Sequence, residues 1–233
     1  RCVAQLAAND NERATFHVLN RNDVTVPADA PAPIRAFFTE TDLALLLETD
    51  RTRFPQGVDA ERLRRGERVF LDHCVEFCLI LLGKSLPEGY AAPCLSELLA
   101  MSGNLEKKPY RRLIGVLQLV VDVCEVGGFE PEGRAIAAAR QARLLHAGVR
   151  RLVTRIRPEY VARYGAPANF EDMLGTIMGL SLLIVNGAPQ LWGGIDDAEA
   201  EDFYYLWRAF AVAMGIHPPG QEGSDEWVPR NIA

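Results

Sequence analysis

Of the four histidines in the 233-residue chain, one is framed in a way that suggests chemistry. The stretch from Arg140 to Val153 reads RQARLLHAGVRRLV and falls late in a long helical pattern. Positions three and four apart share a helix face, so His146 lies on one apolar stripe with Ala142, Val149 and Val153. Arg143 stands three residues before the imidazole and Arg150 four after it. One imidazole cannot hold zinc, which needs three or four protein ligands. It can hold haem iron, because the porphyrin supplies four nitrogens and asks the protein for an apolar wall and for cations near two propionates. A satisfied core or surface histidine is the commoner reason for such a placement, so the rest of the chain must decide.

Other catalytic patterns find no support. There is no G-x-S-x-G, no P-loop and no G-x-G-x-x-G after a strand. A di-iron carboxylate bundle needs two Glu-x-x-His pairs, and no Glu or Asp stands three residues before a His. His17 and His217 fall in expected loops and read as solvent-facing. His73, beside Asp72 and near Glu76, reads as a member of a charged network. The five cysteines (Cys2, Cys74, Cys78, Cys94 and Cys124) are odd in number and scattered, unlike a disulfide-stapled module. Cys74 and Cys78 share a helix face with apolar neighbours and are expected to be core thiols; His73 points elsewhere, so no Cys/His zinc site is expected.

At 48% hydrophobic the chain can build a substantial core, and its net charge of −6 argues against a general nucleic-acid binder. The charge is uneven. Between Arg134 and Arg163 the arginines crowd together with Glu159 as the only acid. A basic patch on an acidic protein suits a small anionic ligand such as a carboxylate; the alternative is a solvated arginine face. The opening RCVAQLAAND lacks a hydrophobic leader, which favours the cytoplasm, while the missing initiator Met leaves an exported form open. The longest apolar run, Met173 to Val185, is short for a bilayer and carries Thr176 and Ser181, so no transmembrane segment is expected.

The elements that must position His146 are helical. Residues 1–38, with pieces such as VPADAPAPI, read as an irregular arm, 39–217 as the helical domain and 218–233 as a tail. Thr39 caps a short helix to Asp50. Asp59 caps a longer one whose apolar residues recur to Leu81 and which Gly83 ends. SLPEGYAAP reads as a connector, and Cys94 to Met101 as a short helix stopped by SGN. Pro109 opens a buried helix to Val126, closed by Gly127-Gly128; Pro131 then starts the His146 helix, which ends near Ile156. An antiparallel return between these two would bring Arg112 beside His146; the alternative is a surface pair with Arg111. Asn169 caps FEDMLGTIMGLSLLIVNG, whose Gly175, Thr176, Gly179 and Ser181 permit close approach of a backbone or a flat ligand. Asp196 or Asp197 caps the last long helix, which Gly215 ends. No segment alternates with period two, so the reading is all-α, a single domain of about eight helices. The aromatics of FYYLW, Phe203 to Trp207, read as core, with an exposed oligomer contact as the alternative.

Several blocks in order, RGERVFLDH, SLPEGYAA, YRRLIGVLQLVVDVCEVGGFEPEG, RLLHAGVRRLV, GAPANFEDMLGT and EDFYYLWRAF, resemble the latex clearing protein (rubber oxygenase) family and its wider bacterial and fungal relatives. The likeness covers roughly Arg65 to Ile216. It implies a globin-like helical core holding b-type haem, with His146 as the axial ligand to iron, Arg143 and Arg150 around it, and Arg112 on the distal side. The family uses dioxygen to cleave carbon–carbon double bonds of polyisoprene. In its rubber-cleaving members a lysine and a threonine follow the distal arginine by three and four residues; here these positions are Gly115 and Val116. A distal acid also belongs to the family, and Glu88, Glu97 and Glu106 are its possible counterparts. The resemblance therefore implies haem-dependent oxidation of an apolar unsaturated substrate, a polyisoprenoid, terpenoid or lipid. A non-catalytic haem- or lipid-binding protein is the alternative. No partner beyond dioxygen and such a substrate is implied.

Overall fold

In a computed structural model, residues 58–101, 109–130 and 133–216 are described, apart from the side chains of residues 144 and 147. The arm 1–38, the short helix 39–50, the stop SGN, Pro131, His17, His217 and the tail 218–233 lie outside the described residues. Among the described residues every regular element is helical. We number them α1 (Ala60–Asp72), α2 (Cys74–Ile80), α3 (Leu86–Gly89), α4 (Pro93–Met101), α5 (Pro109–Cys124), α6 (Arg134–Ile156), α7 (Pro158–Tyr164), α8 (Phe170–Leu180), α9 (Leu182–Leu191) and α10 (Asp197–Ala213). A π-helical turn, Leu81–Ser85, joins α2 to α3.

The caps read from the sequence form. The Asp59 side chain accepts from the backbone N–H groups of Glu61 and Arg62. Asn169 with Asp172, and Asp196 with Glu199, build reciprocal capping boxes, each satisfying two orphan donors. Gly127 and Gly215 take the left-handed backbone that stops α5 and α10, at φ 76° and 71°.

The chain departs from the periodic pattern at three places. The helix expected from Asp59 to Leu81 breaks at His73, at φ −123° and ψ 21°. Gly83 does not end it, because the backbone widens into the π turn and continues through Pro87 into α3. SLPEGYAAP is thus partly helical rather than a connector. The expected α8 helix breaks at Ser181, whose hydroxyl donates to the Ile177 carbonyl at 2.7 Å. The helix α7, with Pro158 in its first turn, has too few residues to show a period in the sequence. By length and composition alone, Phe170 to Leu191, 22 residues, is long and apolar enough to cross a membrane. It is interrupted at Ser181, and Ile177, Leu180, Ile184 and Ala188 are buried against the rest of the fold.

The core has two parts. The larger is built on α1 and α10, which pack along their length, with α2, α5, the first half of α6, α8 and α9 around them. Phe203, Leu206, Trp207 and Phe210 are fully buried, so the FYYLW aromatics facing inward are core. Each such side chain contributes about 1.5–3 kcal/mol by leaving water. The smaller part gathers Met101, Leu152, Val153 and Tyr160 from α4, the second half of α6 and α7. His73 belongs to an aromatic cluster rather than a charged network: its ring stacks on both Phe77 and Trp192, 5.9 and 5.6 Å between centroids, and those two rings meet at 6.0 Å. Cys74 and Cys78 are half-buried and Cys124 is wholly buried; burial pushes the Cys124 thiol well up, which keeps it protonated.

Candidate functional site

The helix α6 runs through both parts of the core. Ala142 packs against the larger and Val149 against the smaller. His146 lies between them in the sequence of α6, with Arg143 and Arg150 one turn to either side. The nine residues from Glu125 to Gly133 return the chain so that α5 packs on α6. That return places Arg112 alongside His146.

The imidazole is partly buried, and its Nδ1 is sealed from solvent with no hydrogen-bond partner. Burial, followed by the charges of Arg150 and Arg112, lowers its pKa to about 4. The ring is therefore neutral at neutral pH. A neutral imidazole carries a lone pair, and that is the form that ligates a metal. A buried ring nitrogen left unpaired is costly, at about 1–3 kcal/mol, so it marks a position for something other than these side chains.

The three arginines share one electrostatic property. Arg112 is partly buried with its Nε sealed and unpartnered. Arg143 donates from Nη1 to the carbonyl of Ala213, 3.2 Å away, at the negative end of α10. Arg150 donates from Nε and Nη2 to the carbonyl of Ala168, at 3.2 and 2.9 Å. Burial lowers the pKa of Arg143 and of Arg150. Among the described residues no carboxylate pairs with any of the three. Their neighbours on the same basic stretch are answered: Arg134 meets Asp122 and Glu125 at 3.7 and 3.4 Å, and Arg157 meets Glu97 and Glu159. Among the described residues, Arg134 and Arg157 are thus paired with carboxylates, whereas Arg112, Arg143 and Arg150 around His146 are not. Partly buried cations without anions are unfavourable unless a ligand supplies the negative charge.

This arrangement fits haem. A single neutral imidazole suffices where the macrocycle brings the other nitrogens, and carboxylate side chains on the macrocycle would answer the cations. Among the described residues there is no cluster of three or more His, Cys, Asp and Glu able to hold a metal ion by themselves.

The remaining sequence candidates are not drawn together. Glu88 pairs with Lys84 at the end of the π turn. Glu97 is engaged by Arg157 and by the Tyr164 hydroxyl. Glu106 lies outside the described residues. Gly115 is exposed, and a Cβ built there would meet no atom within 4 Å. Val116 is 8% exposed and belongs to the larger core. Sequence reasoning overlooked Ala168, whose carbonyl anchors Arg150; an alanine gives no residue-type signal for such a role.

A family model described as ER-bound oxygenase mpaB/B'/Rubber oxygenase, catalytic domain, matches residues 78–229, about two thirds of the chain, and spans Arg112, Arg143, His146 and Arg150. No curated protein matches the sequence. Among solved structures, that of latex clearing protein in the closed state is similar, with a TM-score of 0.64 and 22% identity over 99% of this chain. The chain spans 59% of the length of that protein, and at this identity the likeness shows a shared fold. With two thirds of its residues under the family model, the chain belongs to the ER-bound oxygenase mpaB/B' and rubber oxygenase catalytic-domain family.

Proposed function

We propose that this chain is a haem b-dependent oxygenase acting with dioxygen on an apolar, unsaturated substrate, a polyisoprenoid, terpenoid or lipid. One observation carries the reading: a neutral imidazole with a sealed, unpartnered nitrogen stands beside three arginines that no described carboxylate neutralises. His146 would hold the iron, and Arg143 and Arg150 would hold the propionates. The bound group supplies a redox-active iron at which dioxygen is activated. Arg112 brings a fixed charge and an unpartnered N–H to the site, a preorganised donor where negative charge develops on a reacting oxygen. The apolar residues flanking His146 on α6, Ala142 and Val149, exclude water from the imidazole side.

A second reading has its own support. Gly115 and Val116 stand where the rubber-cleaving members carry a lysine and a threonine, and Val116 is a core residue with no polar atom to offer. A protein that binds haem or a lipid without turnover would be built this way.

One set of measurements separates the two. Haem-reconstituted wild type should show the Soret band of b-type haem, and His146→Ala should lose it and bind haem at least tenfold more weakly. Absence of a Soret band from reconstituted wild type would sink both haem readings. A band without oxygen uptake on polyprenyl, carotenoid or unsaturated lipid substrates would favour the binding protein.

A further inference from the structure

The connector between α7 and α8 contains Ala168, which has a left-handed backbone at φ 49°, alone among the described non-glycine residues. Ala168 is 8% exposed, and Asn169 directly after it caps α8. Such a turn suits glycine, and Gly165 three residues earlier takes one at φ 79°. A residue with a Cβ stays in that region only where its surroundings hold it. Arg150 supplies the hold. Its Nε and Nη2 both donate to the Ala168 carbonyl, at 3.2 and 2.9 Å, and Nη2 also lies 3.6 Å from the Met173 sulfur in α8. Arg150 is one turn beyond His146 on α6. With no described carboxylate to draw it elsewhere, this carbonyl sets where its guanidinium stands.

We propose that Arg150 is a positioning residue: its fork onto the carbonyl presented by the left-handed turn at Ala168 locks α6 to the start of α8 and thereby fixes where the His146 ring stands. A planar fork with two N–H groups on one acceptor fixes direction as well as distance, whereas an ammonium is a point charge on a freely rotating stem. The lock itself is a property of the protein alone. Its consequence for His146 rests on the reading of that residue as the haem ligand.

Three variants of the full chain test it. Arg150→Lys keeps the charge and loses the fork. Ala168→Pro keeps Arg150 and cannot adopt a positive φ, so it withdraws the carbonyl. Ala168→Gly keeps the turn and the carbonyl. Amide hydrogen exchange over residues 165–174 is read without haem, and the ferric haem spectrum after reconstitution. Arg150→Lys and Ala168→Pro should each speed exchange at the start of α8 at least tenfold and shift or broaden the Soret band. Ala168→Gly should leave both at wild-type values. Wild-type exchange and spectrum in Arg150→Lys would overturn the proposal, as would an Ala168→Gly variant that behaves like Arg150→Lys. If Arg150→Lys does not fold, Arg150→Gln, which keeps a planar donor, should show a smaller rise in exchange, and no rise overturns the proposal. If wild type takes up no haem while Arg150→Lys and Ala168→Pro still speed exchange, the haem reading fails and the lock stands.

Discussion

At the scale of single residues, the site is defined by what its groups lack. Among the described residues, His146 has a ring nitrogen with no partner, and Arg112, Arg143 and Arg150 have no carboxylate, although the chain as a whole is acidic. Gly115, three residues after Arg112 on α5, is an open position, exposed, with no atom within 4 Å of where a Cβ would be. Gly115→Lys should therefore fold, and replacing a helical glycine should stabilise the protein by about 0.5–1 kcal/mol. The same variant restores the lysine of the rubber-cleaving relatives. On the haem reading it should move the ferric spectrum toward that of a six-coordinate iron. A thermal melt and a visible spectrum check the two halves, and a fall in melting temperature would show that the space at Gly115 is not free.

At the scale of elements, α1 and α10 form the frame on which the site helices are hung, and two features set their distance. Gly66 lets the backbones meet: a Cβ there would stand 2.5 Å from the Asp202 carbonyl oxygen and 3.0 Å from the Leu206 Cβ. Asp202 then ties the pair from the other side. Burial pushes its carboxyl up, but hydrogen bonds from Arg65 and Arg62, at 2.5 and 3.1 Å, outweigh this and hold it below its usual range. The obstacle at Gly66 is a backbone carbonyl, which cannot turn aside as a side chain can. Gly66→Ala should thus destabilise by about 1–3 kcal/mol despite the better helix propensity of alanine. Denaturant unfolding measures this, and a neutral or stabilising result would mean that α1 and α10 can slide apart freely.

At the scale of the whole molecule, the neutral imidazole links stability to pH. The unfolded chain binds a proton at His146 with the ordinary pKa of about 6.5, and the folded one only near 4. Between these values the unfolded state holds more protons, so stability falls as pH falls through that window and levels off below it. The full difference is about 3 kcal/mol, a sizeable part of the 5–15 kcal/mol typical of a domain. Without ligand, His146→Gln should remove this component and flatten the stability profile between pH 6.5 and 4 relative to wild type. Equal slopes in the two proteins would show that His146 titrates normally. The acidic groups add their own pH dependence, which the comparison between variant and wild type cancels.

Much of this protein was legible in order along the chain. Caps are local, so Asp59, Asn169 and Asp196 announced their helices through side chains that reach only two or three residues ahead. The absence of period-two alternation gave the all-α class, and an imidazole bracketed by arginines gave the candidate site. The break at His73, the π turn at Leu81–Ser85 and the stacking of His73 were not legible, because groups distant in sequence meet there. Trp192 meets the His73 ring, and α9 presses Gly187 against Ile80 and Lys84 beside the π turn. Which arginines carry uncompensated charge was likewise decided only by tertiary structure. Arg134 and Arg150 look alike in the sequence, but one meets two carboxylates across the turn and the other the carbonyl of Ala168 and the sulfur of Met173. Residue type fixes what a side chain can do; the partner that folding brings within about 3 Å decides what it does.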